Sequence, residues 1–279
     1  MKVIETIKAV RKELEGVRKA KKTVALVPTM GALHAGHLAL IQQARSVSKY
    51  VAVSIFVNPT QFAPGEDFEK YSRPIKADLE KCRQAKVDLV FTPAKSELYA
   101  PDFVTYVCQE RLTERLCGLS RPTHFRGVLT VVLKLFNIFQ PDAAVFGLKD
   151  YQQYICVRKM AQDFHSQTKV VGVNTVRESD GLALSSRNQY LDPIARKNAT
   201  CLYRALLTIK SSAKRGDKRA ASLIRKGREL IEETPQTIVD YLTIVDKDTL
   251  EEVNTVNKGA VAMGAIYIAG TRLIDNLAL

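Results

Sequence analysis

Residues 27–38, VPTMGALHAGHL, constrain the fold more than any other stretch of the chain. The apolar run 23–27 leads into them and is typical of a short buried strand, and Leu38, Ile41 and Ala44 follow at helical spacing. Two glycines and two histidines therefore lie in a crossing from strand to helix. In α/β folds such crossings bind phosphates, because glycine backbone and helix N-termini expose N–H groups to an anion.

The two histidines of this crossing do not by themselves fix its function. His34 and His37 are three residues apart and would share one face of the first helical turn. Such a pair fits phosphate binding, a metal site or two surface histidines. The turn matches neither the G-x-x-x-x-G-K-[ST] pattern of a P-loop nor the G-x-G-x-x-G dinucleotide fingerprint. These residues alone leave the choice open.

The net charge of +13 is unevenly distributed. Residues 1–22 hold eight Lys and Arg against three Glu, and residues 196–228 hold eleven against Asp217 alone. Together these segments exceed the whole net charge, so the middle of the chain is close to neutral. Both are typical of solvated faces of amphipathic helices and lack interleaved aromatic residues that stack on bases. We therefore expect no nucleic-acid partner, although a basic lobe can steer anionic substrates.

Length and composition indicate a globular protein of two domains, because 279 residues exceed one comfortable core. No apolar stretch approaches the roughly 18 residues that span a bilayer. The N-terminus lacks the apolar core of an export signal. The cysteines are scattered without a C-x-x-C pair, which favours reduced thiols over a zinc ribbon; they are Cys82, Cys108, Cys117, Cys156 and Cys201. We expect a cytoplasmic protein with no membrane partner.

Strands and helices alternate up to residue 173, as in a parallel sheet with helices on both faces. After an opening helix marked by Ile4 to Val17, the patterns predict strands over 23–27, 50–57, 87–91, 103–108, 143–147 and 169–173, and helices over 38–45, 75–85, 127–139 and 150–163. Two basic helices (193–214 and 218–232) and three alternating runs (237–245, 259–268 and 271–274) follow. The sequence thus predicts an α/β protein: a Rossmann-like parallel sheet over 1–175, and a smaller α+β domain with a short antiparallel sheet over 176–279.

Polar residues follow two predicted elements at places where a ligand could bind. Asn58-Pro59-Thr60-Gln61-Phe62 ends the second of the main strands, beyond which open parallel sheets bind ligands. The amides of Asn58 and Gln61 suit a small hydroxy acid, and an Asn-Pro turn explains the residues equally well. In Arg121-Pro122-Thr123-His124-Phe125-Arg126-Gly127, Arg121 and His124 either hold a carboxylate or phosphate or belong to a solvated loop.

Two further segments combine polar groups at helix entries. Residues 146–153, FGLKDYQQ, form a second strand-to-helix crossing, in which Asp150 and Gln153 also match a capping box. Residues 184–188, LSSRN, place two hydroxyls and an arginine in one turn. That turn is either an anion clamp or an ordinary helix entry.

These five motifs together resemble one family. H-x-G-H is the pattern of the nucleotidyltransferase superfamily, shared with class I aminoacyl-tRNA synthetases. The five segments of this chain resemble those of the pantothenate synthetase family, whose members join pantoate to β-alanine using ATP. The family's patterns are P-T-M-G-A-L-H-x-G-H, F-V-N-P-x-Q-F, R-P-x-H-F, F-G-x-K-D-Y-Q-Q and M-S-S-R-N. This chain has Leu148 where the family often has Glu, and Leu184 where it has Met, a volume-conserving change.

The resemblance implies a reaction through pantoyl adenylate with release of pyrophosphate and then AMP. It also implies Mg²⁺ with ATP, a homodimer, a nucleotide- and pantoate-binding domain over 1–175 and a lid domain over 176–279. The implied catalytic residues are His34, His37, Lys149, Ser185, Ser186 and Arg187. The implied ATP-binding residues are Pro28, Thr29, Met30, His34, Gly36, His37, Gly147, Lys149, Asp150, Val176, Leu184, Ser185, Ser186 and Arg187. The implied pantoate-binding residues are Met30, Asn58, Gln61, Arg121, His124 and Gln153, and Asp78 would contribute to the magnesium environment.

Two other functions fit parts of the sequence. An adenylyltransferase acting on a phosphorylated acceptor, such as nicotinamide mononucleotide or phosphopantetheine, also uses H-x-G-H. It would leave the nucleotidyl group on a stable product instead of releasing AMP. An RNA-binding module related to the synthetases is disfavoured, because no anticodon-type domain and no interleaved aromatic residues are evident.

Overall fold

A computed structural model describes residues 1–279, which form two compact units. Unit 1 comprises residues 1–114, 121–148 and 153–174, and unit 2 comprises residues 115–120, 149–152 and 175–279. The two short segments 115–120 and 149–152 thus group with unit 2 although they precede residue 175 in the chain. None of the helices combines the length and the apolar character needed to cross a membrane. All five cysteines are free thiols.

The secondary structure alternates as the patterns predict. The strands are β1 (Lys2–Ile4), β2 (Val24–Thr29), β3 (Tyr50–Ile55), β4 (Leu89–Phe91), β5 (Ala143–Gly147), β6 (Lys169–Val173), β7 (Thr237–Asp246), β8 (Ala260–Ile268) and β9 (Thr271–Ala278). The α-helices are α1 (Ile7–Lys19), α2 (Ala35–Val47), α3 (Ile75–Gln84), α4 (Lys95–Leu98), α5 (Cys117–Ser120), α6 (His124–Phe139), α7 (Tyr151–Asp163), α8 (Pro193–Asn198), α9 (Cys201–Lys214) and α10 (Ala220–Glu232). Short 3-10 helices cover Pro59–Gln61, Leu148–Asp150 and Ser186–Tyr190.

Unit 1 is built on a six-stranded parallel sheet with the order β1-β4-β3-β2-β5-β6. The central strands read as nearly continuous apolar runs because both faces of the sheet are covered, and residues 24–27 and 50–54 are buried throughout. The apolar helix α6 is largely buried, as its composition predicts. The predicted Rossmann-like parallel sheet is confirmed.

Unit 2 is built on the antiparallel sheet β7-β8-β9, against which α9 and α10 pack. Its core combines buried aliphatic residues of both helices with those of the sheet, among them Leu206, Leu223 and Ile266. The helices approach closely at Gly227, where an added Cβ would lie 2.9 Å from Ile209 Cδ1. The predicted α+β character of the C-terminal part is confirmed.

Three predicted elements differ from the structure. Ile4 lies in β1 rather than in the first helix, which begins at Ile7 after Thr6 caps it. Residues 103–108 form no strand within the chain, because the rings of Phe103 and Tyr106 pack under cations of α6 instead. The Lys134 ammonium lies 4.1 Å from the Phe103 ring centroid, and the Arg126 guanidinium carbon lies 4.3 Å from that of Tyr106.

The predicted helix 193–214 is divided into α8 and α9. The break falls between Asn198 and Cys201, where polar side chains bond to backbone carbonyls outside the helical pattern. Thr200 Oγ1 donates to the Lys197 carbonyl at 3.0 Å, and Asn198 Nδ2 donates to the Pro235 carbonyl at 3.4 Å. Such side-chain bonds compete with helix propagation.

Candidate active site

The winding of the parallel sheet in unit 1 reverses beside β2. The chain runs from β2 to β3 and β4 on one side, and later crosses to β5 and β6 on the other. Open parallel sheets bind ligands beyond the carboxyl ends of the strands at such a switch point. Pro28 and Thr29 end β2, and Gly147 ends β5. An added Cβ at Gly147 would meet only Leu40 Cδ2, at 4.0 Å, so packing does not require glycine there.

A buried carboxylate fixes the turn that follows β2. Asp78 is 1% exposed and lies in the first turn of α3. Its Oδ2 accepts the N–H of Ala32 and its Oδ1 accepts the N–H of Leu33, both at 2.8 Å. Gly31, at φ +83°, passes so close that an added Cβ would lie 2.9 Å from Asp78 Oδ2. The turn therefore needs both the glycine and the carboxylate.

The two histidines form a reciprocal cap at the N-terminus of α2. His34 is the N-cap residue, and its Nδ1 accepts the N–H of Gly36 at 3.1 Å. The N–H of His34 donates in turn to Nδ1 of His37 at 3.2 Å, and the ring centroids are 4.1 Å apart. Because each Nδ1 accepts a backbone hydrogen bond, the proton of each neutral ring lies on Nε2. Both rings thus present N–H donors at a helix terminus that favours anions.

The end of β3 orients one glutamine. Asn58 is 1% exposed, and its Nδ2 donates to Gln61 Oε1 at 3.2 Å and to the Gly127 carbonyl at 3.1 Å. Its Oδ1 accepts the hydroxyls of Thr60 at 3.0 Å and Tyr99 at 2.9 Å. Asn58 is therefore a fully bonded interior residue. The amide oxygen of Gln61 is bonded to Asn58, so the Gln61 Nε2 atom points away from Asn58. This Nε2 lies 3.0 Å from Met30 Sδ.

Helix α6 supports this turn through a close approach at Gly127. An added Cβ there would lie 2.3 Å from the Thr60 carbonyl oxygen and 2.5 Å from the Gln61 backbone nitrogen. These are backbone atoms that cannot move aside. The glycine of the motif R-P-T-H-F-R-G thus serves to place α6 against the 3-10 helix that carries Gln61.

An ion pair holds the same backbone from the other side. Arg121 Nε and Nη2 donate to Glu66 Oε1 at 2.7 Å and Oε2 at 2.6 Å. Arg121 Nη2 also donates to the Gln61 carbonyl at 3.3 Å, and His124 Nδ1 lies 2.9 Å from the same oxygen. Burial alone would raise the pKa of Glu66, but the hydrogen bonds and charge of Arg121 outweigh it and leave that pKa below its usual value.

The remaining predicted residues divide between the two units. Gln153, in unit 1, is half-buried in the first part of α7. In unit 2, Lys149 Nζ lies 3.6 Å from Asp150 Oδ1. Residues 176–184 form a tight β-hairpin, closed by the Leu184 N–H bond to the Val176 carbonyl at 3.0 Å. Ser185 then caps the 3-10 helix that contains Ser186 and Arg187, and its Oγ accepts the Arg187 N–H at 3.3 Å.

Comparison with known proteins identifies the family of this chain. A sequence profile described as pantoate-beta-alanine ligase matches residues 2–278. The chain belongs to the pantoate–β-alanine ligase family. It is 47% identical to the pantothenate synthetase of Moorella thermoacetica, over 100% of this chain and 99% of that protein. As a member of the pantoate–β-alanine ligase family, it is a ligase that forms pantothenate from pantoate and β-alanine.

Solved structures of this ligase family have the same fold. The pantothenate synthetase of Thermus thermophilus is 45% identical with a TM-score of 0.95, covering 100% of this chain and 99% of that one. The pantoate-beta-alanine ligase of Francisella tularensis, solved in complex with beta-gamma ATP and β-alanine, is 32% identical with a TM-score of 0.82, covering 100% and 97%.

The sequence motifs assigned no role to several residues that shape the site. Glu66 and Tyr99 lie outside every motif, and Gly127 lies inside one without a predicted role. Glu66 lies in a charged loop and is joined to its partner Arg121 across 55 positions. The only sequence signal available was Gly127, because a glycine directly inside an apolar helix indicates a close backbone approach.

Glu66→Gln should lower the stability of the protein at neutral pH by about 1–3 kcal/mol, because Arg121 loses a half-buried charged partner. The folded-state pKa of Glu66 is depressed, so its contribution is fully present above the usual pKa of Glu and disappears as pH falls through the folded value. Chemical denaturation from pH 7 to pH 3 should show the wild type and the variant converging in acid. Glu80→Gln, which removes an exposed pair with Arg83, is the control and should change stability by less than about 1 kcal/mol. A Glu66→Gln deficit that is constant with pH would contradict the assignment.

Proposed function

We propose that this ligase activates pantoate with ATP before β-alanine reacts. A pantoate carboxylate oxygen attacks the α-phosphorus of ATP, the bond to the bridging oxygen of the β-phosphate breaks, and pyrophosphate leaves. The amine of β-alanine then attacks the carbonyl carbon of pantoyl adenylate, AMP leaves, and the amine loses a proton to solvent. Neither step needs a protein nucleophile, so positioning and charge stabilisation supply the catalysis.

The observation that carries this proposal is the pair of Nε2–H donors at the N-terminus of α2, beyond the switch point of the sheet. A helix terminus with two imidazole donors suits the phosphates of ATP. The Francisella ligase was solved with beta-gamma ATP and β-alanine, which supports the same substrates here. We assign ATP in unit 1 to Pro28, Thr29, Met30, His34, Gly36, His37 and Gly147.

In unit 2 we assign ATP to two segments. The first segment consists of Lys149 and Asp150. The second consists of the two ends of the hairpin and the turn that follows it, and its assigned residues are Val176, Leu184, Ser185, Ser186 and Arg187. Lys149, Ser185, Ser186 and Arg187, together with His34 and His37, would stabilise the charge that develops as pyrophosphate leaves. The nucleotide- and pantoate-binding role of residues 1–175 and the lid role of residues 176–279 stay predictions.

We assign pantoate to Met30, Gln61 and Gln153. Gln61 Nε2 lies 3.0 Å from Met30 Sδ, so the ends of β2 and β3 bring these two side chains together. An amide donor whose oxygen is already bonded suits a hydroxyl or carboxylate oxygen of a hydroxy acid. Asn58, Arg121 and His124 would act by holding the side chain and backbone of Gln61 rather than by binding pantoate themselves.

Mg²⁺ would bind together with ATP rather than at a site formed by protein ligands alone. No group of three or more His, Cys, Asp or Glu side chains is placed to hold a metal ion. Both oxygens of Asp78 accept backbone hydrogen bonds, so a magnesium role for this residue would act through its charge. Mg²⁺ commonly keeps several waters and binds through substrate phosphates, which fits such a site.

Pantoate-dependent exchange of labelled pyrophosphate into ATP tests the proposed reaction. The wild type should catalyse exchange with ATP, Mg²⁺ and pantoate in the absence of β-alanine, and should release AMP once β-alanine is added. Exchange that is indifferent to pantoate would overturn the adenylate pathway. A nucleotidyl group retained on the product would instead identify an adenylyltransferase.

His37→Ala should lower the rate of exchange by about 10²–10³, as expected for loss of one donor to developing charge. Attack of β-alanine on supplied pantoyl adenylate should change much less. Because His37 also accepts the His34 N–H, His37→Gln serves as the matched variant, since Gln at this position preserves a capping acceptor. His37→Gln should fold with wild-type stability and keep more of the exchange than His37→Ala, because its amide also offers an N–H donor. Equal losses in both half-reactions would refute this division of labour.

We further propose that the ligase is a homodimer formed through residues 103–108. Val104 is 83% exposed, and the backbone of residues 104–106 forms no hydrogen bond within the chain. A segment with open backbone N–H and C=O groups can pair with a strand of another chain. The segment from Phe103 to Gln109 carries no charge, so two copies can approach there despite the net charge of +13. A cytoplasmic location, supported by five free thiols, is also proposed.

Val104→Lys should convert the dimer to monomers in sedimentation velocity, because two like charges would face each other across a twofold pairing. Phe164→Lys, which changes another exposed apolar residue of unit 1, is the matched control and should leave the dimer intact. A wild type that sediments as a monomer, or a Val104→Lys variant that stays dimeric, would reject this interface.

A further inference from the structure

The last strand of the chain, β9, contacts both segments of unit 2 that we assign to ATP. Asp275 and Asn276 are neighbours on β9, paired in register with Gly264 and Met263 of β8. Asp275 reaches the hairpin 176–184, and Asn276 reaches Lys149. Asp275 and Asn276 themselves lie outside all five sequence motifs.

Asp275 anchors the hairpin through a buried ion pair. Its side chain is 4% exposed, and Oδ2 and Oδ1 accept Arg177 Nη1 at 2.6 Å and Nη2 at 2.9 Å. This two-point geometry fixes the orientation of the guanidinium as well as its position. Arg177 Nη1 also donates to the Gly181 carbonyl at 3.0 Å, so the strand is tied to the tip of the hairpin as well as to its first arm.

The hairpin cannot shift independently of this anchor. The Arg177 guanidinium carbon lies 3.9 Å from the centroid of the Tyr203 ring. Gly181 has φ +95°, and an added Cβ would lie 2.3 Å from Tyr203 Cδ1. Arg196 binds Asp180 and Glu178 at the tip, each at 2.7 Å. The hairpin is thus clamped by two arginines, and its two ends carry Val176 and Leu184.

Asn276 holds the second segment. Its Nδ2 donates to the carbonyl oxygen of Lys149 at 3.0 Å. This bond fixes the peptide from which the Lys149 side chain extends. The Asn276 N–H donates to Asp275 Oδ1 at 2.8 Å, so the two anchors share one carboxylate. β9 also packs against the 3-10 helix that contains Ser186 and Arg187.

We propose that Asp275 and Asn276 are positioning residues for adenylate formation, which hold Lys149 and the hairpin that leads into Ser185–Arg187. This inference rests on the proposed function, because it assigns the purpose of the contacts to the ATP-binding groups. The residues act through Arg177 and the Lys149 backbone and touch no substrate themselves.

The same strand offers a matched control. Arg272, also on β9, forms an ion pair with Asp240 of β7 at 2.6 Å, and both side chains are similarly buried at 16% and 17% exposure. This pair joins β7 to β9 and also binds the Ser120 hydroxyl of α5, but it contacts neither the hairpin nor Lys149. Asp240→Asn therefore measures what loss of a comparable pair does to the unit as a whole.

Steady-state pyrophosphate exchange of the full-length enzyme tests the proposal. Asn276→Ala should lower kcat for exchange by about ten- to a hundredfold with an unchanged KM for pantoate, because the displaced group stabilises charge and does not bind pantoate. Asp275→Asn should also raise KM for ATP, because the hairpin carries Val176. Reaction of supplied pantoyl adenylate with β-alanine should stay at the wild-type rate in both. Asp240→Asn should lower the melting temperature and leave kcat and KM of exchange unchanged.

The outcomes separate the inference from the function on which it rests. A wild type without pantoate-dependent exchange refutes the proposed function itself. A wild type that exchanges, beside an Asn276→Ala variant of equal kcat, refutes the positioning role. Equal loss of both half-reactions in Asn276→Ala and Asp240→Asn also refutes it, because the effect is then general. Should Asp275→Asn fail to fold, Arg177→Lys retains the cation without the two-point contact and must show the same rise in KM for ATP.

Discussion

The buried carboxylate of Asp78 is the constraint on which the turn from β2 to α2 in unit 1 depends. Its two oxygens bind consecutive backbone N–H groups, those of Ala32 and Leu33, in the turn between β2 and α2. Because α3 begins just before Asp78, the helix dipole stabilises the same negative charge. The turn then delivers His34 to the N-cap position of α2. The direction of both imidazole rings is therefore set by a residue more than 40 positions away in the chain.

The polar supports of the structure share one chemical arrangement. In each of them a side-chain acceptor is bonded within the protein: Asp78 accepts turn amides, the His34 and His37 Nδ1 atoms accept backbone N–H groups, and Gln61 Oε1 accepts a hydrogen bond from Asn58. In unit 2, Asp275 accepts Arg177 in the same way. Buried acceptors are satisfied inside the protein, which removes the cost of unpaired polar atoms. In the site that we propose, N–H donors meet the substrates, and these suit carboxylate and phosphate groups.

The fold could be predicted from the sequence because it depends on local periodicity. Buried strands such as β2 and β5 are continuous apolar runs, and amphipathic helices show apolar residues at 3.6-residue spacing. The errors occur where a tertiary contact decides the outcome. Residues 103–108 alternate like a strand but pack their rings under Lys134 and Arg126, and β1 is too short for any periodicity to appear. Motif residues such as Gln61 and Gly147 could be named from resemblance. Their supports could not, because the partners of Glu66 and Asp275 lie 55 and 98 positions away.

A reaction without a protein nucleophile makes such supports more consequential. When catalysis comes from donors held where charge develops, a displacement of a fraction of an ångström weakens each of them, and no covalent step compensates. The interactions that keep a donor in place then lower the activation free energy as directly as the donor itself does. In this chain the ordering is supplied mainly by charged groups with two-point contacts, Asp78, Glu66 and Asp275 among them. Such contacts fix direction as well as distance, which a single hydrogen bond or an apolar contact does not. Residues that never touch a substrate are therefore expected to separate the two half-reactions as sharply as those that do.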